Sequence, residues 1–135
     1  MLEVIGPKAE GDAPVLARAG AVILIGTALP DVARGAIVAF PATNMAEEDG
    51  TFVNLRGRVQ RYGQAKAPPG MARPLWWALA DLLAFLGEKA AYFTSSDAFA
   101  AMAAARPEFA GMSYDALALS GQVVHGSRES AGAAR

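Results

Sequence analysis

Apolar residues along this chain first form two short continuous runs, then alternate, then recur at helical spacing. Residues 21–25 read Ala-Val-Ile-Leu-Ile between Gly20 and Gly26, and residues 36–40 read Ala-Ile-Val-Ala-Phe before Pro41. Runs of this length, aliphatic and β-branched and bounded by glycine or proline, predict strands buried on both faces. Residues 27–35 between them form a loop or short helical crossover, which predicts parallel pairing. Ahead of them, residues 1–6 read as a short strand and residues 15–19 as a helical turn, separated by breakers at Gly6-Pro7 and over residues 11–14.

Residues 43–50 are polar and end in Asp49-Gly50, a turn signal that places Gly50 at positive φ ahead of an extended segment over 51–53. Residues 51–62 alternate loosely, with Phe52, Asn54, Arg56, Arg58, Gln60 and Tyr62 on one parity and a bend expected at Gly57. Residues 67–70, Ala-Pro-Pro-Gly, are a rigid extended linker. The spacing of Leu75, Leu79, Leu82 and Leu86, with Trp76, Ala80 and Leu83 beside them, predicts a helix over 73–86, opened by Pro74 and closed by Gly87. A second helix is expected over 96–106, capped by Ser95 or Ser96, burying Phe99, Met102 and Ala103, and stopped by Pro107. Ser113 caps one or two further turns over 114–119. From Gly121 the composition predicts a frayed tail.

Together these elements predict an α/β fold: a small, mostly parallel sheet, a turn-and-extended segment, and two or three C-terminal helices. The expected organisation is a single domain over residues 1–120 and a disordered tail over 121–135, since 135 residues suit one domain.

Composition narrows the chemistry. There is no cysteine, which excludes a disulfide scaffold, thiol catalysis and any iron–sulfur cluster or Cys-ligated zinc held by this chain. The single histidine, His125, excludes a multi-His metal site. A net charge of −1 gives no basic field for nucleic acid or an anionic membrane. No apolar stretch approaches the ~20 residues of a spanning helix, and the start lacks a basic signal region, so a cytoplasmic setting is expected. With 53% hydrophobic and only 19% charged residues, the chain carries more apolar surface than a lone small domain needs.

Candidate site residues are few. Glu47, Glu48 and Asp49 put three carboxylates in a row, but consecutive residues do not converge without a special loop, so a solvated polar loop is expected. Arg56 and Arg58 share a strand face and are candidates to clamp a phosphate or carboxylate, with Arg61 nearby; salt bridges are the plainer reading. His125 lies in the weak tail and is expected to be inert. The glycines form neither a P-loop nor a GxGxxG fingerprint. Trp76 and Trp77 are adjacent on a helix, so one fills the core and the other faces a partner.

A longer string is recognisable. Residues 28–42 resemble the "ADVVLPa" strand of molybdopterin oxidoreductases. Residues 48–60, Glu-Asp-Gly-Thr-Phe-Val-Asn-Leu-Arg-Gly-Arg-Val-Gln, resemble their E-x-x-G-T-x-x-N-x-E-G-R-x-Q signature, and residues 68–76 their P-P-G-x-A-R-x-D-W helix start. The motifs keep one order and register over about residues 21–88. Departures occur where the family has Glu after the Asn (Leu55-Arg56 here) and Asp before the Trp (Leu75 here). The sequence over 92–107 looks most like the large iron–sulfur subunit of NADH-quinone oxidoreductase, respiratory complex I.

That resemblance implies a non-catalytic structural and subunit-contact portion of the large peripheral-arm subunit, at the inner face of the cell membrane. The parent complex passes electrons from NADH to quinone through iron–sulfur clusters held elsewhere. This chain is then expected to have no catalytic residue, metal or cofactor of its own, and no NADH oxidation activity. The alternative is the cofactor-pocket portion of a molybdopterin-dependent oxidoreductase such as formate dehydrogenase. In that case Gly50, Thr51, Asn54, Arg56 and Arg58 would help shape the molybdopterin site. Partners in either case are other subunits or domains of the parent, with no nucleic acid and no membrane insertion. In isolation a homodimer is expected, through the apolar helix over 73–86 or the N-terminal strand region.

Overall fold

The computed structural model describes residues 18–29, 31, 35–89 and 92–126. The strand expected over 1–6, most of the turn over 15–19, and the tail from 127 onward lie outside the described residues. The α/β class holds: five short strands, two α-helices and two 3-10 turns among the described residues.

Strands β1 (Ile23–Gly26) and β2 (Val38–Pro41) form a parallel pair with Ile23 opposite Val38, as the two apolar runs predict. Ile37 N–H to Val22 C=O and Ala42 N–H to Gly26 C=O extend the ladder at both ends. Their burial departs from expectation. Only Leu24, at 4% exposure, is buried, and every residue of β2 is exposed. A continuous apolar run reports a strand built for two covering layers; among the described residues, β2 has neither layer.

Parallel pairing is confined to β1 and β2 among the described strands. The turn-and-extended segment is an antiparallel sheet of its own: β3 (Gly50–Val53), β4 (Arg58–Tyr62) and β5 (Gln122–Val123), in the order β3-β4-β5. The expected turn at Asp49-Gly50 is absent; Gly50 opens β3, without the positive φ assigned to it, and pairs with Tyr62. The chain reverses at Asn54–Gly57 instead. There Gly57 N–H donates to Asn54 C=O at 2.9 Å, and Gly57 has φ 76°. Asparagine at the first position and a left-handed glycine at the last suit this type of loop. The frayed tail is also corrected for residues 121–126. Gln122 pairs with Val59 and Val123 with Arg58, and Val124 N–H donates to Gly57 C=O. Tertiary pairing with β4 orders a segment whose own composition would not.

Helix α1 (Leu75–Phe85) follows Pro74 and ends in a Schellman cap. Gly87, at φ 87°, donates to Ala84 C=O, and Glu88 N–H donates to Leu83 C=O. Helix α2 (Ser95–Ala105) starts one residue earlier than the serines suggest. Its N-cap is Thr94, whose hydroxyl accepts from Asp97 N–H at 3.1 Å while the Asp97 carboxylate accepts from Thr94 N–H at 2.9 Å, a capping box. The expected turns after Ser113 are a single 3-10 turn, Asp115–Leu117.

The buried core belongs to the C-terminal half. Val59, Phe99, Met112, Tyr114 and Leu117 form one cluster, with Met102, Ala103, Phe109 and Val124 packed around it. Leu117 is fully buried and Val59 nearly so. Phe99 contacts Phe109 and Tyr114 edge-on, at centroid distances of 6.3 and 6.1 Å.

Candidate functional site

The chemistry-bearing residues gather along the β3–β4 hairpin and the loops docked to its ends. The alternating strand pattern puts Phe52, Gln60 and Tyr62 on one face, and Thr51, Val53, Val59 and Arg61 on the other. The second face meets the core through Val59.

At the open end, the acidic loop is fastened rather than solvated, which corrects the expectation for Glu47–Asp49. Glu47 is only 5% exposed; it ion-pairs with Lys66 Nζ at 2.9 Å and accepts from Asn44 N–H at 3.1 Å. Those two contacts hold its carboxyl below the usual range. Glu48 accepts from the Thr43 hydroxyl and, at 2.8 Å, from the Tyr62 hydroxyl. Asp49 accepts from Gln64 N–H at 3.0 Å. The three carboxylates therefore bind separate partners and do not converge. Burial and the Glu48 carboxylate push the Tyr62 phenol above its usual range. Among the described residues no group of three His, Asp or Glu side chains is arranged to hold a metal ion.

Gly50 has a different reason to be glycine than a turn. An added Cβ would lie 2.4 Å from the Tyr62 hydroxyl oxygen and 2.6 Å from Cζ, so the Tyr62 ring occupies the space a side chain would need. The ring also faces Phe52, with centroids 6.3 Å apart.

At the closed end, Asn54 organises the loop. Its Oδ1 accepts from Arg56 N–H at 2.9 Å and Arg58 N–H at 3.1 Å, and its Nδ2 donates to Gln60 Oε1 at 3.3 Å. Arg58 reaches the backbone carbonyls of Ser120 and Gly121, at 3.4 and 3.2 Å. Arg61 stacks on Tyr114, 4.1 Å from the ring centroid, and contacts Asp115 at 3.5 Å. It lines a cleft of about 320 Å³ with Tyr62, Gly63, Ala118 and Leu119. Arg56 is exposed at the loop tip.

Tyr62, Thr43 and Lys66, which tie the acidic loop down, were not among the expected site residues. The available signal was the glycine two positions from a carboxylate pair, with a tyrosine twelve residues on. His125 donates its backbone N–H to Glu108 C=O, and its ring lies 3.2 Å from Ala110 C=O. Trp76 is half-buried, with its indole nitrogen sequestered and unpaired, while Trp77 is exposed.

Residues 12–85, more than half of the chain, match the family Molybdopterin oxidoreductase. The chain belongs to this family. Its relatives correct the finer assignment. The Bacillus subtilis protein "Putative formate dehydrogenase YrhE" is 43% identical over 89 residues, covering 66% of this chain and 9% of its own length. The F420-dependent formate dehydrogenase 2 subunit alpha of Methanococcus maripaludis is 40% identical over 95 residues, covering 69% of this chain and 14% of its own. The corresponding Methanocaldococcus jannaschii subunit is 36% identical over the same share. These relatives overturn the respiratory complex I assignment, and nothing in them supports the NADH and quinone chemistry or the placement at the inner membrane face. The motifs over 28–76 lie within the family match, whereas the segment over 92–107, which carries the complex I resemblance, lies beyond it. Among the described residues no helix is long and apolar enough to cross a membrane. The chain spans about a tenth of the length of the relatives it matches.

Molybdopterin is a phosphate-bearing pterin, so a cradle for it needs free donors converging on one point. The hairpin does not offer that. Asn54 and Arg58 are engaged within the fold. Thr51 lies on the opposite face from Gly50, and the space at Gly50 is filled by Tyr62. Arg56 alone of the five is exposed at the tip. As a set within this chain, Gly50, Thr51, Asn54, Arg56 and Arg58 do not fit a self-contained molybdopterin cradle; four of them shape the hairpin and its loop.

Proposed function

We propose that this chain is a structural segment of a formate dehydrogenase of the molybdopterin oxidoreductase family, forming a hairpin-and-helix wall and holding no redox group of its own. The observation that carries this reading is the similarity to the Bacillus subtilis and Methanococcus maripaludis formate dehydrogenases across two thirds of the chain. The geometry agrees with a wall: the carboxylates, Asn54 and Arg58 spend their hydrogen bonds on fixing loops. Formate oxidation releases carbon dioxide, a proton and two electrons, and those electrons go to groups carried outside this segment.

A segment exchange tests the reading. The 95 matched residues of the Methanococcus maripaludis subunit are replaced by those of this chain, and formate-dependent F420 reduction is measured beside molybdenum content. The expected result is a folded, molybdenum-loaded chimera that oxidises formate. A chimera that folds and retains molybdenum but does not oxidise formate contradicts the proposal.

A further inference from the structure

Strand β4 has two edges, and one of them is only partly used. On the inner edge, β3 pairs with it over Val59–Tyr62. On the outer edge, β5 pairs with Arg58 and Val59, and Val124 N–H donates to Gly57 C=O. Backbone groups along an antiparallel strand point to alternate edges. Asn54 N–H donates to Arg58 C=O across the hairpin. Arg58, Gln60 and Tyr62 therefore turn their backbone groups toward β3, while Val59 and Arg61 turn theirs outward. Gln122 sits opposite Val59. Among the described residues, no backbone group pairs with the outward N–H and C=O of Arg61.

The route into β5 leaves that edge open. After the 3-10 turn Asp115–Leu117, Ala118 takes φ 46° and ψ −151°, and Gly121 N–H donates to Leu117 C=O at 2.8 Å. The segment folds back on itself where it would otherwise run beside Arg61. A cleft of about 320 Å³ remains between Arg61, Tyr62 and Gly63 on one side and Ala118 and Leu119 on the other. Positive φ in a non-glycine residue is strain of a kind that clusters at ligand-binding places. The cleft walls carry distinct chemistry. The Arg61 guanidinium lies over Tyr114 and meets Asp115 at 3.5 Å, a carboxylate that is itself 92% exposed. Leu119 is an apolar side chain 89% exposed.

A strand edge with unused donors and acceptors is a template for an added strand. We propose that the cleft is a peptide-binding site: an extended segment of a partner protein adds as a strand beside β4. Its backbone exchanges hydrogen bonds with Arg61. The peptide residue directly opposite Arg61 shares its face of the sheet, so an acidic side chain there meets the guanidinium. An apolar neighbour covers Leu119. The site is independent of the function proposed above. A second copy of this chain fits less well. Its own β4 edge is flanked by its own Ala118 and Leu119, so two walls stand between the edges, whereas a free extended segment brings none.

The test titrates the isotope-labelled full chain with the acetylated, amidated peptide Thr-Val-Glu-Val-Thr, whose β-branched residues favour a strand around a central carboxylate. Saturable amide shifts centred on Arg61, Tyr62, Gly63 and Leu119 are expected, with a Kd below about 1 mM. Two N-methylated peptides separate strand addition from charge attraction. Methylation of the Glu nitrogen removes the N–H that meets Arg61 C=O and should weaken binding by at least about tenfold. Methylation of the next Val nitrogen, which points away from β4, should weaken it by less than about threefold. Leu119→Asp, at an exposed position outside the buried core, should weaken binding while leaving the fold intact. Equal effects of the two methyl groups, shifts centred outside the cleft, or binding unchanged by Leu119→Asp would overturn the proposal. So would the absence of saturable shifts up to about 5 mM peptide. A dimer of the chain alone that shifts the same amides would also overturn it and assign the edge to a second copy.

Discussion

Replacing Gly50 with alanine separates two explanations for one glycine. A turn glycine is required by its backbone angle, whereas here the requirement comes from the Tyr62 ring opposite. The new Cβ would sit 2.4 Å from the Tyr62 oxygen, 2.6 Å from Cζ and 3.0 Å from Cε1, all well inside contact distance. Those atoms belong to the far end of a side chain, so the ring swings away rather than the strand breaking. The swing loses the 2.8 Å hydroxyl bond to Glu48 and the packing on Phe52. A hydrogen bond to a charged group contributes about 1.5–3 kcal/mol, and forced repacking costs about 1–3 kcal/mol. Water recovers part of the first at this half-buried site, so Gly50→Ala should destabilise by about 1–3 kcal/mol. In a Tyr62→Ala background the clash is gone and the same substitution should cost under about 0.5 kcal/mol. Urea unfolding of the four proteins, followed by tryptophan fluorescence, gives the coupling directly. Equal costs in the two backgrounds would refute the ring-contact explanation and return Gly50 to a backbone role.

Three further outcomes follow from the same geometry. Leu117→Ala empties the centre of the core and should lower unfolding stability by about 2–5 kcal/mol, read from the urea midpoint. Asn54→Ala removes the acceptor for two loop N–H groups and should cost about 1 kcal/mol, with faster amide exchange at Arg56 and Arg58. Asp97 is held below the usual carboxylate range by the N–H of Phe93 and by Thr94. Its folded pKa is thus lower than its unfolded one near ~4. Its stabilisation is complete above that value and is lost as pH falls through the folded pKa. Asp97→Asn should therefore flatten the acid-side fall in the urea midpoint; an unchanged slope would exclude the capping box as its source.

What the sequence disclosed follows from where each signal resides. Helix α1 was readable because the leucine spacing, Pro74 and Gly87 all agree on it. The parallel pair was readable from two β-branched runs, yet their exposure was not, since an apolar run tells what a strand was built to pack against, never whether those layers are present. The hairpin carried two competing turn signals. Asp49-Gly50 is the stronger dipeptide, but Asn54 and Gly57 satisfy the first and last positions of the real turn, and Gly50 answers to a ring twelve residues away. Strand β5 is two residues long and exists only through pairing with β4, so nothing local predicts it. Thr94 and Asp97 spell a capping box that the adjacent serines obscured. The motifs reached the family because several short strings share one register inside the matched residues 12–85, and the member was misassigned because the segment over 92–107 that suggested it lies beyond that match.

Amide hydrogen exchange of the isolated chain tests most directly the division between a closed C-terminal core and an open family layer. Short, uncovered strands open locally at little free-energy cost, while strands against a core open only with global unfolding. The account predicts strong protection at Val59, Gln60 and α2, and fast exchange at Leu24, Ile25, Ala39 and Phe40. Protection across β1 and β2 equal to that of β4 in the monomeric chain would contradict it.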